Sequence, residues 1–292
     1  MPVFETSTTT SMKSPSPPIS PRLLSYLFTS LSSHSPIHTP DIAPLLPNSP
    51  PRKWYLRRIL RSDNPTEING ELTGIATFHP LINNHNNSNI DNDRKHKHRE
   101  MVYREEGEMP STVPGMAGLK WTKKYIWRLN NSSNDALNTS EDAKETDENL
   151  ELSAGAGGIS IWFVKIKSGR ERNKEDQETQ EEADYLFHKF DFGQQQGNND
   201  TVTVTDEKTG TLSLQPPTPP LLASSSTLAQ AYPETEVIHA RGDHLCVKDM
   251  YYTAYSFRIV PETGEVLSWA SRHVVKGPKK NQDIVNLYSI EG

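Results

Sequence analysis

Cysteine is nearly absent: Cys246 stands alone among 292 residues. That excludes an intramolecular disulfide and suits a reducing compartment. No run of about 18 apolar residues occurs, so no transmembrane helix is expected. The opening stretch, MPVFETSTTTSMKSPSPPIS, lacks an apolar h-region and carries Glu5, unlike a secretory signal or a transit peptide. These absences predict an intracellular, cytoplasmic protein. Hydrophobic residues are also scarce, at 33%, so much of the chain cannot offset its ordering entropy by burial. Positive charge is short as well. A net charge of −6 gives no reason to expect nucleic acid or an anionic membrane as partner.

Proline is abundant, with 22 residues, and polar tracts divide the chain. Residues 1–18 are rich in Ser, Thr and Pro and read as disordered. Polar, acidic or Pro/Gln-rich inserts fall near 83–99, 131–157, 168–183 and 193–235. They read as disordered and dispensable, because long loops between strands are tolerated. The histidines of the first insert are irregularly spaced, with no Cys or carboxylate framework, so no metal site is predicted. Arg241-Gly242-Asp243 lies inside a strand pattern and reads as coincidence rather than as an adhesion motif.

Without the inserts, about 170 residues remain, enough for a single domain spanning 19–292. Most alternate with period two and are rich in aromatic and β-branched residues, which marks strands. KWYLRRIL puts Trp54, Leu56 and Arg58 on one face. MVYREEGEM does the same for Tyr103, Glu105 and Gly107, and LKWTKKYIWRL for Trp121, Lys123, Tyr125 and Trp127. ELTGIATF, GISIWFVKI, DYLFHKFDF, EVIHARGDHLCV, MYYTAYSFRIV, EVLSWASRHVV and DIVNLYSI complete ten segments. Ten short strands without intervening helices predict an all-β fold, a sandwich or an antiparallel up-and-down barrel of about ten strands, and the barrel is preferred. One helix precedes them, with Ser20 as N-cap, Pro21 in its first turn and an apolar stripe of Leu23, Leu24, Leu27, Phe28 and Leu31. It suits a plug for one barrel end; a partner-binding helix is the alternative.

In HLCVKDMYY, an even loop at Val247-Lys248 pairs Cys246 with Asp249 and His244 with Tyr251. The same register aligns Ile238, Ala240 and Gly242 with Phe257, Tyr255 and Thr253, and leaves His239, Arg241 and Asp243 on the other face. His244, Cys246, Asp249 and Tyr251 are therefore expected to face inward together.

These residues resemble the uncharacterised family known as domain of unknown function 6314. The resemblance rests on W-x-L-x-R (Trp54, Leu56, Arg58), Y-x-E-x-G (Tyr103, Glu105, Gly107) and Y-x-W (Tyr125, Trp127). It continues through Phe187-His188, H-x-C-x-x-D-x-Y (His244, Cys246, Asp249, Tyr251) and GPKK (Gly277 to Lys280). It spans the strands and none of the inserts. It implies a calycin-like or lipocalin-like barrel and no established activity. The chain departs from the pattern at Asn281-Gln282, where an acidic and an aromatic residue are expected, and at His273, where a Trp is expected.

Small barrels are either filled by side chains or hold one small ligand. A buried Arg58 needs a carboxylate, and Glu105 is the natural partner. The pair is a structural ion pair or an anchor for a ligand carboxylate or phosphate. A small, partly apolar ligand is expected among Trp54, Arg58, Tyr103, Glu105, Tyr125, Trp127, His188, Cys246 and Tyr255. An alternative is a cyclase, isomerase or dehydratase using His244, Asp249 and Tyr251, with Asp249 orienting His244. A haem ligand role for His244 or His188 is chemically open. A third reading is an inert scaffold with partner-recruiting loops. Lys279 and Lys280 read as turn charges at the rim.

Overall fold

The chain is described by a computed structural model over residues 19–32, 51–65, 67–81, 99–110, 115–130, 158–166, 181–193, 202–206, 210–278 and 280–290. The tract 1–18, most of the first three inserts, and Lys279 lie outside the described residues.

Helix α1 (Pro21–Ser30) begins at Ser20, whose hydroxyl accepts from the Leu23 amide. A meander follows: β1 (Lys53–Ser62), β2 (Gly70–Pro80), β3 (Arg99–Glu108), β4 (Lys120–Asn130), β5 (Gly158–Val164) and β6 (Ala183–Lys189). Strands β7 (Val202–Asp206) and β8 (Gly210–Leu214) form a separate hairpin, and a short α2 (Thr227–Ala231) comes next. Then β9 (Glu236–Cys246), β10 (Asp249–Ile259), β11 (Val266–Lys276) and β12 (Asn281–Ser289) run back and forth. Each of the ten strands expected from alternation is present. They make one antiparallel sheet in the order β6-β5-β4-β3-β2-β1-β12-β11-β10-β9.

The sheet curls until its two edges meet. Asp191 and Arg241 exchange backbone hydrogen bonds at 2.8 Å each way, just beyond β6, which nearly closes the barrel. Gly242 belongs at this seam, because a Cβ there would collide with the His188 ring. Strong alternation puts Trp54, Leu56 and Arg58 inside while Lys53, Tyr55 and Arg57 face water.

Helix α1 plugs the barrel end that holds Trp54. Leu24, Leu27, Phe28 and Leu31 are buried there, and the Trp54 indole donates to the Leu31 carbonyl at 2.9 Å. Arg52 is buried at the same end, bonded to Glu265 at 2.6 Å and to the Val266 carbonyl at 2.8 Å. The strand ends on the other side form an open mouth.

The expected insert at 193–235 needs correction in its second half. Residues 214–235 lie against the outer face of β10 and β11. Ser268 and Arg258 donate to the Pro220 carbonyl at 2.5 and 3.4 Å, and Arg258 reaches Thr235 at 3.1 Å. Outward residues of these strands are small (Ala254, Ser256, Ser268 and Ala270, each 0% exposed), so the segment packs close. Proline-rich composition hid this: an extended chain can cover a sheet without alternation of its own. Arg99 and Ala183, at insert edges, belong to β3 and β6.

Candidate functional site: the barrel interior and its mouth

A polar ladder crosses the middle of the barrel. Arg58 and Glu105, placed on the same inner level by β1 and β3, form the expected ion pair at 2.6 Å, both side chains buried. The Arg58 Nε donates to Asn286 at 2.6 Å, Asn286 donates to Ser271 at 2.9 Å, and Ser271 meets His273 at 3.1 Å. The ladder ends at Thr253, 3.1 Å from the other ring nitrogen of His273. The second oxygen of Glu105 accepts from Tyr103 and, at 3.0 Å, from Tyr288. Burial pushes the Glu105 carboxyl up, but Arg58, Lys123 and these hydrogen bonds outweigh it, so its pKa lies below the usual value. Arg58 also lies over the Trp121 ring, 5.2 Å from its centroid.

On the mouth side of the ladder is a cavity of about 90 Å³. Its wall is aromatic, with Tyr125, Trp127, Phe187, Tyr251 and Tyr255, and Arg58, Glu105 and Lys123 bring the charge. Tyr125 stacks on Phe187 at 5.8 Å between centroids. The indole N–H groups of Trp127 and Trp269, two lining residues, are enclosed and find no acceptor among the described residues. Burial, then the neighbouring charge of Arg58, lowers the Lys123 pKa to about 8, against the pull of Glu105. Yet the Lys123 side chain remains open to solvent. The two facts agree if its amine sits deep among protein atoms in a cavity that water enters.

Of the residues expected around a ligand, Arg58, Tyr103, Glu105, Tyr125, Trp127 and Tyr255 line this cavity, as does Tyr251 of the acid/base alternative. Trp54 does not; it is held in the plugged end by α1. His188 turns inward beside Phe187 at an irregularity in the β5–β6 register. It is bonded to Tyr255 at 2.9 Å and lies behind the cavity wall. Burial lowers the pKa of His188 and that of His273, the latter to about 3, so both rings are neutral at physiological pH.

The β9–β10 hairpin has the predicted register: Cys246 opposite Asp249, His244 opposite Tyr251, and Gly242 opposite Thr253. Val247, at the first loop position, takes φ 56°, a left-handed conformation that a β-branched residue resists. The cluster at the mouth is not the expected one. Asp249 pairs with Lys280 at 2.9 Å, and the same amine reaches the Tyr251 hydroxyl at 3.4 Å. His244 packs on Phe187 at 5.1 Å, its Nε2 enclosed and without a partner. No hydrogen bond joins His244 to Asp249. The parity argument fixed the face and left open which neighbour each group would find. Cys246 is half-buried at the rim.

Two residues of the site went unrecognised in the sequence. Lys123 is one of three lysines on β4; its parity with Trp121 and Tyr125 put it on their face, but no role followed from that. His273 entered only as a departure from a pattern. Among the described residues no group of three or more His, Cys, Asp or Glu is arranged to hold a metal. Neither His188 nor His244 lines the cavity, so the cavity lends no support to a haem role for either.

The model of a family of unknown function, DUF6314, matches residues 223–290. The match spans β9 to β12, including Ser271, His273, Asn286 and Tyr288 of the ladder, but not Arg58, Glu105 or Lys123. The resemblance is thus found on the C-terminal part of the barrel. No curated protein and no solved structure matches the chain.

Proposed function

We propose that the barrel binds a small, partly apolar ligand in its interior. The cavity carries this reading: an aromatic-walled space, reached by solvent, with a few polar groups converging on it. A barrel built only as a scaffold is filled by side chains. Its volume of about 90 Å³ is below that of an engineered apolar cavity of about 150 Å³ that takes benzene. The ligand is therefore compact, or extends toward the mouth. The acid/base alternative has less support, because Asp249, its orienting carboxylate, is engaged with Lys280.

The indole N–H resonances of Trp127 and Trp269 report on the cavity wall. Small neutral aromatics and short-chain alcohols at millimolar concentration are expected to shift both saturably. Val275→Trp, or Ile284→Phe at the mouth, should abolish the shifts while the fold persists. Absence of any saturable shift in the wild-type chain would overturn the proposal.

A further inference from the structure

The charged groups that line the cavity do not balance. Arg58 and Lys123 are cationic and Glu105 is anionic, so two positive and one negative leave one positive charge over. The single negative charge of Glu105 is already bonded to Arg58. One of its oxygens takes Arg58, the other takes Tyr103 and Tyr288. Lys123 stands directly across the β3–β4 ladder from Glu105, yet it makes no hydrogen bond or ion pair among the described residues. Its outward neighbour Lys124 does find a carboxylate, Glu181, at 2.5 Å. On Arg58, Nε and Nη2 are bonded and Nη1 is not.

We infer that the cavity selects small monocarboxylates, with Lys123 supplying the charge that holds the carboxylate and Arg58 Nη1 the second donor. This rests on the cavity being a ligand site. One surplus positive charge calls for a monoanion; a dianion would leave a buried negative charge uncompensated. A carboxylate offers an oxygen to each donor through charge-assisted bonds. The rings of Tyr125, Trp127 and Phe187 then receive a short aliphatic or aromatic body.

The charged and titratable groups that line the cavity with Lys123 are Arg58 from β1, Tyr103 and Glu105 from β3, Tyr125 on its own strand, Tyr251 and Tyr255 from β10, His273 from β11 and Tyr288 from β12. Burial holds Tyr103, Tyr125, Tyr255 and Tyr288 above the usual phenol value and His273 below the usual imidazole value, so the amine is the group whose charge changes just above neutral pH. Carboxylate affinity is expected to fall as pH rises past the Lys123 pKa of about 8.

The test is calorimetric titration of the full chain with acetate, butyrate and benzoate, and with butyramide, benzamide and inorganic phosphate as controls. Carboxylates should bind more tightly than their amides. Lys123→Gln should weaken carboxylate binding by about tenfold or more, weaken benzamide binding far less, and remove the alkaline decline. Lys123→Met, read in the same way, guards against a folding defect in one variant. Amides binding as well as carboxylates, phosphate binding better than either, or full affinity in both variants would overturn the inference while leaving a ligand cavity in place. Binding of no probe at all would overturn the cavity reading too.

Discussion

Replacing Arg58 with Met tests the inner ladder most sharply. The substitution keeps much of the side-chain volume and removes the one cation bonded to Glu105 among the described residues. The carboxylate is 3% exposed and would keep only the hydroxyls of Tyr103 and Tyr288. Breaking a buried pair from one side costs about 3–5 kcal/mol, because the remaining charge stays desolvated. Adding Glu105→Gln removes that charge, and the double variant is expected to recover about half of the loss or more. Urea unfolding followed by tryptophan fluorescence reads both numbers. A second signature comes from pH. In the wild-type chain the Glu105 pKa is depressed, so its contribution is present above the ordinary carboxylate pKa and is lost as pH falls through the folded value. Without Arg58, burial dominates and the pKa rises. The carboxyl then takes a proton in mild acid, and the deficit of Arg58→Met should shrink between neutral pH and about pH 5. Additive losses in the two single variants, or a pH-independent deficit, would refute the pairing.

Val247→Gly removes a left-handed β-branched residue from the hairpin tip. It should raise stability by about 1 kcal/mol, the strain relieved less the added chain entropy, read as a higher urea midpoint. His188 and His273 are held neutral with pKa values below the unfolded one. The unfolded chain therefore binds more protons, and stability falls as pH drops below about 6.5. Roughly 1.4 kcal/mol per histidine should be lost between pH 7.5 and 5.5, and Gln at both positions should flatten that slope in thermal unfolding. Deleting residues 215–232 uncovers Ala254, Ser256, Ser268 and Ala270. It should lower stability by more than about 1 kcal/mol; an unchanged melting temperature would show that the segment is dispensable.

The ten strands were legible because each keeps one face aromatic or apolar; such faces can be buried in a sandwich or in a closed sheet, and alternation alone does not choose between them. Arg58 and Glu105 could be paired on the page, since each is a charge on an otherwise apolar face. The register of β9 and β10 followed from parity, even with Val-Lys at the turn. Parity does not say which neighbour on a face a side chain will meet, and so Asp249 was assigned to His244 rather than to Lys280. Burial of both faces of β10 and β11 was hidden for a related reason. The covering segment, 214–235, has the composition of a linker, and only the small outward residues of those strands hinted at a cover. Lys123 was hidden by its own strand, where exposed lysines flank the one that turns inward.

Native mass spectrometry of the chain purified from the cells that make it tests the central claim, that the interior holds a small ligand. The account predicts a fraction carrying one added small mass, released by collisional activation and missing from Val275→Trp. A bare chain mass in the wild-type protein and in the blocked variant alike would contradict it.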